Sequence, residues 1–305
     1  MRSTIVAAGC RRVPAGVAVG FHPGIAILPD CFNQTGYGAL KTPYSYNTIT
    51  DFLLSQPLTV DVEIDDESAG CFPLKCVEFD ATVLYVGVHD FSRLSIDLSP
   101  PEILIYLNMF LVWMRDSLER EKFCVVERFL DSAVLLLFSK RFGSEEPFLD
   151  ALRTARWMGE HDELLFRPDM GIASGRVAAG FAGTPKEFTG AVFGRPVLIA
   201  AACARMKPEG EMASCITFPD SEWQGRTIRE AFPPFEFEHP EQGKVRQPPT
   251  WRLGERRSVD LPGIGRTELR DVANFVHWMP AATAHEKARE WFAMIRSKGF
   301  YKAGL

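Results

Sequence analysis

The sequence predicts an α+β fold in which one mixed β-sheet carries helices packed on one face. Three observations predict it. Strand-length apolar runs alternate with capped, amphipathic helix candidates. The run Thr82–Val88 (TVLYVGV) is apolar throughout, as the middle of a buried sheet requires. Val125–Phe138 (VVERFLDSAVLLLF) sets two apolar, β-rich runs on either side of the turn-forming pair Asp131-Ser132, so it is expected to fold back as a hairpin.

Taken in order, residues 1–78 hold short apolar runs at Val17–Phe21, Ile25–Leu28 and Leu58–Ile64, separated by Gly, Pro and Asn. They are too hydrophobic for a disordered tail and predict a strand-rich extension without a recognisable motif. After the strand Thr82–Val88, Ser99 is placed to cap a helix, with Pro100 at its first position and Glu102 completing a capping box. Ile103, Leu107, Phe110, Leu111, Met114 and Leu118 then form one stripe at helical spacing. Beyond the hairpin, Ser144 starts a helix that turns Phe148, Ala151, Leu152 and Ala155 inward, and Glu145 and Glu146 suit its positive end.

A second hairpin is expected from Met170–Ala173 and Val177–Phe181, turning at Ser174-Gly175. Val197–Met206 reads as a helix apolar nearly all round and therefore buried. Strands follow at Ser214–Phe218 and Thr267–Val272, with Phe232–Trp251 as a long surface excursion between them. Thr283 and Glu286 form a capping box for a last helix ending at Gly299, with Ala288, Trp291, Phe292 and Ile295 on one face. The expected organisation is an extension at 1–78, a domain at 79–272 and a C-terminal helix at 273–305.

Composition narrows the function. With 46% hydrophobic and 24% charged residues, the chain is ordinary for a globular protein. A net charge of −5 argues against a nucleic-acid partner. The most apolar helix candidate, Ile103–Met114, is too short to span a bilayer, and the apolar stretch before Arg11-Arg12 is too short for a signal peptide. The seven cysteines are scattered, and Cys71 and Cys76 lack a second pair at metal spacing. Free thiols in the cytoplasm are the expectation.

Four segments, ATVLYVGVHDFSRLS, VVERFLDSAVLLLF, DMGIASGRVAAGFAGTPKEFTG and AVFGRPVLIAAACARM, resemble class III adenylate/guanylate cyclase domains in order and spacing, over roughly residues 79–272. The resemblance implies a ferredoxin-like cyclase fold and a dimer with active sites at the interface. It also implies cyclisation of a nucleoside triphosphate with two divalent metals, which activate the nucleophile and neutralise the leaving pyrophosphate. Such hard cations need carboxylate oxygens. The family's two metal aspartates map to Gly87 and Ser132, and its partner-chain asparagine and arginine map to Leu198 and Ala202. Its base-selecting positions hold Arg128 and Arg195.

Loss of one transition-state stabiliser commonly costs about 3–4 kcal/mol. Here both the metal half and the transition-state half are missing, so an intact partner chain would not rescue either interfacial site. The resemblance therefore implies a catalytically degenerate domain retained for dimerisation, regulation or ligand sensing, needing no cofactor. Its partner would be a second copy or another cyclase-fold or signalling protein. One alternative is an adenylate/guanylate cyclase with a non-standard site that uses Mg²⁺ or Mn²⁺ and draws on His89, Asp90, Asp131 or Arg93. Another is a nucleotide or anion binder without turnover, in which Arg93, Arg128 and Arg195 supply positive charge.

Overall fold

Nineteen consecutive residues, Gly70–Val88, form one strand, β2, around which the sheet is built. The computed structural model describes residues 60–66, 70–118, 124–130, 132–160, 166–183, 188–206, 214–239, 243–247, 250–274 and 281–298. On one edge β2 pairs antiparallel with β1 (Val60–Asp66) along its first part and with β4 (Ala133–Phe138) along its last. On the other it pairs antiparallel with β5 (Pro168–Gly183). The expected hairpin is β3 (Cys124–Leu130) with β4, bulged between Val126 and Arg128; Asp131 of its turn lies outside the described residues.

Outward from β5 lie β7 (Ser214–Pro219), β12 (Gly265–Asn274) and β10 (Trp251–Leu253), giving the order β10-β12-β7-β5-β2-β4-β3. The strand β6 (Phe188–Phe193) pairs with β5, and β11 (Arg257–Leu261) with β12. β5 and β7 run parallel, so the sheet is mixed. A separate ribbon, β8 (Phe235–His239) with β9 (Gly243–Gln247), occupies the stretch expected to be a surface excursion. That excursion is anchored at its ends: Phe232 and Trp251 are buried, with ring centroids 5.6 Å apart.

Side chains alternate across the strands and so define two cores. Leu84, Val86, Val88, Val134, Leu136, Met170, Ile172, Ile216 and Phe218 face one side. There they meet α1 (Phe91–Ile96), α2 (Pro100–Leu118), α3 (Pro147–Glu160), the short α5 (Asp220–Trp223) and α6 (Ile228–Ala231), and the last helix, α7 (Ala281–Lys298). Val77, Phe79, Ala81, Val83, Leu135, Leu137, Ala173 and Val177 face the other side, where α4 (Arg195–Arg205) lies. The α+β architecture is as expected, with one difference in layering. α4 lies on the face opposite the other helices, on the connection from β5 through β6 to the parallel strand β7.

The expected second hairpin does not form. Ser174 and Gly175 sit inside β5 and pair with Thr82 and Ala81 of β2. The length of β2 holds both halves of the segment in one continuous strand. The Ser174 hydroxyl bonds that of Thr82 at 2.8 Å, and its N–H donates to the Glu222 carboxylate. Gly175, at φ +151°, holds a backbone conformation closed to most side chains.

Three local expectations also change. Ser99 and Glu102 form half a capping box: the Ser99 N–H and hydroxyl both donate to the Glu102 carboxylate at 2.8 Å. The last helix, α7, begins at Ala281, two residues before the expected cap at Thr283. The expected boundary between residues 78 and 79 falls within β2, while Val17–Phe21 and Ile25–Leu28 lie outside the described residues.

α7 docks on its own chain. Ala288, Phe292 and Ile295 are buried in the core with α2 and α3. Arg296 Nε donates to the buried Glu102 carboxylate, and Arg289 bonds Asp97 between α1 and α2. Among the described residues no helix is long and apolar enough to cross a membrane.

Candidate functional site

The end of β2 is where the sequence-predicted positions meet. Strand register sets Gly87 opposite Ala133 of β4 on one side and Asp169 of β5 on the other. The Val88 N–H donates to the Ser132 carbonyl at 2.9 Å, fastening the hairpin turn to β2. The two positions that the resemblance assigns to metal ligands, Gly87 and Ser132, are thus neighbours in space.

Their chemistry does not suit metal. Gly87 is buried on the α4 side of the sheet, and a Cβ there would lie 3.1 Å from Tyr85 Cε1 and 3.6 Å from Ala133 Cβ. The tyrosine ring and a methyl group line the space into which a carboxylate would project. Ser132 offers one hydroxyl. Asp169, the carboxylate paired with Gly87 in the strand register, is bound by His89, whose Nδ1 lies 3.1 Å from both oxygens. Among the described residues no group of three or more His, Cys, Asp and Glu is placed to hold a metal ion. The donor set does not fit a pair of divalent cations, which take several carboxylate oxygens.

Asp90 opens α1 at φ 46° without a side-chain cap bond; its carbonyl accepts from the Arg93 and Leu94 N–H groups. Sequence reasoning missed Asp169 and His285. Strand pairing alone brings Asp169 beside Gly87. Helix docking alone brings the His285 ring onto that of His89, with centroids 6.1 Å apart and planes 20° from parallel. His285 Nε2–H donates to the His89 carbonyl at 3.3 Å. No local signal marks either residue.

The positions mapped to partner-chain residues stand on α4. Pro196, Ala200, Cys203 and Ala204 form its buried face. Leu198 points away and is 63% exposed, which corrects the expectation of a helix buried all round. Ala202 is half-buried and packs beside Cys203, Leu261 and Leu269 of its own chain. Burial, reinforced by the charge of Asp271, pushes the Cys203 thiol up to about 12, so it is unreactive near neutrality. Below α4, Asp271 accepts from Arg257 Nε and Nη2 at 3.0 Å each, and Arg257 Nη2 also holds the Met206 carbonyl at the helix end.

Arg93 and Arg195 do not assemble within one chain. Arg93 is exposed on α1, beyond the end of β2, and Arg195 is exposed at the start of α4. Pro196 sits over Gly175, which pairs with Ala81, seven residues before Val88. At strand rise that is roughly 23 Å of β2. Arg128 stands on β3 opposite Leu135.

No protein-family model and no curated protein matches the chain. Solved structures do. The adenylyl cyclase CyaB from P. aeruginosa is similar at 14% identity and TM-score 0.51, covering 67% of this chain and 98% of its own. The guanylate cyclase domain of RhGC from Catenaria anguillulae, solved in complex with GTP, matches at 15% identity and TM-score 0.50, covering 65% and 100%. A bacterial light-regulated adenylyl cyclase matches at 15% and 0.50, over 70% of this chain and 57% of its own. The fold is that of the class III adenylyl and guanylyl cyclase catalytic domains.

Proposed function

We propose that this chain is a catalytically degenerate cyclase-like domain, a pseudoenzyme that serves in cytoplasmic signalling as a dimerisation, regulatory or ligand-sensing element. One observation supports the reading above the others. At the strand end where the resemblance implies a metal carboxylate, Gly87 is buried between Tyr85 and Ala133, and the adjoining turn offers a serine. Without those carboxylates, the divalent cations that would neutralise a triphosphate and activate its 3′ oxygen lose their ligands. The domain needs no cofactor, and Mg²⁺ or Mn²⁺ would matter only to a working cyclase.

The proposed partner is a second copy, meeting through α4. Leu198 exposes a large apolar side chain on the outward face of α4 (63%). An apolar surface of this kind suits a dry interface better than a wet catalytic cleft.

Purified protein given ATP or GTP with Mn²⁺ or Mg²⁺ is expected to yield no cyclic nucleotide; turnover that responds to changes at Gly87 or Ser132 would sink the pseudoenzyme reading. Light scattering is expected to report a dimer, and Leu198→Asp, which sets a charge in an apolar contact, a monomer with unchanged stability. A wild-type monomer would remove the dimer. A thermal shift with nucleotides would mark a sensor, since a ligand of the native state raises its stability.

A further inference from the structure

We propose that α7 is a pH-sensitive clasp on the loop between β2 and α1, docked while His285 is neutral and loosened when that ring gains a proton. The proposal stands on the contact itself and is independent of the dimer and of nucleotide binding. His285 is 7% exposed, wedged between α7 and the loop. It donates to the His89 carbonyl and stacks on the His89 ring. The loop it grips begins two residues after Gly87 and includes Asp90 in a left-handed conformation. Other polar ties of α7 include the pairs Arg289–Asp97, which is partly exposed, and Arg296–Glu102.

Charges of both signs surround the position. From the β2–α1 segment, His89 and Arg93 oppose a proton on His285 and Asp90 favours one; Asp169 of β5 is engaged by His89. On α7 itself Glu286 and Arg289 flank it. Burial is the largest influence and lowers the proton affinity of His285 below the ordinary histidine value, only partly offset by the hydrogen bond to the His89 carbonyl. The sign follows. A released α7 binds the proton more readily than a docked one, so docking is at full strength above about pH 6.5, weakens as pH falls below it, and levels off once the docked ring is also protonated.

Hydrogen exchange on the full chain tests this, comparing about pH 7.5 with about pH 5.5 after correction for intrinsic rates. The α7 amides are expected to lose protection, by about tenfold for each unit by which docking lowers the proton affinity of His285, while β12 amides keep theirs. His285→Gln retains an N–H donor and removes the titration, and its α7 protection is expected to be insensitive to pH. A pH-insensitive wild-type α7, or a pH response undiminished in His285→Gln, would overturn the clasp. If that variant does not fold, NMR titration of the wild-type rings decides. A His285 ring titrating at or above the ordinary value overturns the proposal, and one titrating below it supports the clasp.

Discussion

Asp271→Asn is expected to lower the unfolding free energy by about 3–5 kcal/mol, read as a fall in the denaturant midpoint at constant slope. The Asp271 side chain is 6% exposed, and its carboxylate accepts from both Arg257 nitrogens and from the Thr217 hydroxyl at 2.7 Å. Arg257 is itself largely covered, at 28% exposed. Removing the negative charge leaves a guanidinium without its counter-ion, and the loss is carried to the end of α4 through the Met206 carbonyl. Removing both charges together, as Arg257→Met with Asp271→Leu, is expected to cost clearly less than Asp271→Asn alone, because no buried charge is then stranded. A single variant within about 1 kcal/mol of wild type would show that the pair is held by solvent screening and contributes little.

Gly171→Ala is expected to cost about 3 kcal/mol or more, at the upper end for an overpacked site. An added Cβ would lie 2.0 Å from the Ala200 carbonyl oxygen and 2.4 Å from the Ala204 nitrogen. Both are backbone atoms of α4, so the whole helix must lift from the sheet. Limited proteolysis is expected to cut first at α4, and light scattering to show loss of the proposed dimer. Gly87→Ala is the matched control. Its new methyl would meet the Tyr85 ring at 3.1 Å, a side chain that can yield, and the expected cost is about 1 kcal/mol or less. Equal costs at the two glycines would mean that α4 is not seated by close approach.

Much of the fold was legible because its signals are local. The hairpin at Val125–Phe138 depends on two apolar runs and the pair between them, and β3 and β4 form there. Pro100 opens α2 and the inward face of α3 is the expected one, since capping and periodicity need only a few neighbouring residues. Ser174-Gly175 misleads for the complementary reason. A turn-forming pair folds back only when no partner strand holds it straight, and β2 does so from 92 residues away. The same limit hid His285, which reaches His89 across 196 residues.

For this protein the sequence by itself determined the hairpin at Val125–Phe138 and the main helices, and that Gly87, Ser132, Leu198 and Ala202 carry neither a carboxylate nor a guanidinium. Tertiary structure decided how those positions are arranged. Register sets Gly87 against Ala133 and Asp169, packing leaves Leu198 exposed while turning Ala202 toward its own chain, and α7 folds back onto the β2–α1 loop. The physical reason is range. Turn chemistry, capping and periodicity act over a few residues, whereas register, burial and charge pairing are settled only when distant segments compete for the same apolar surface.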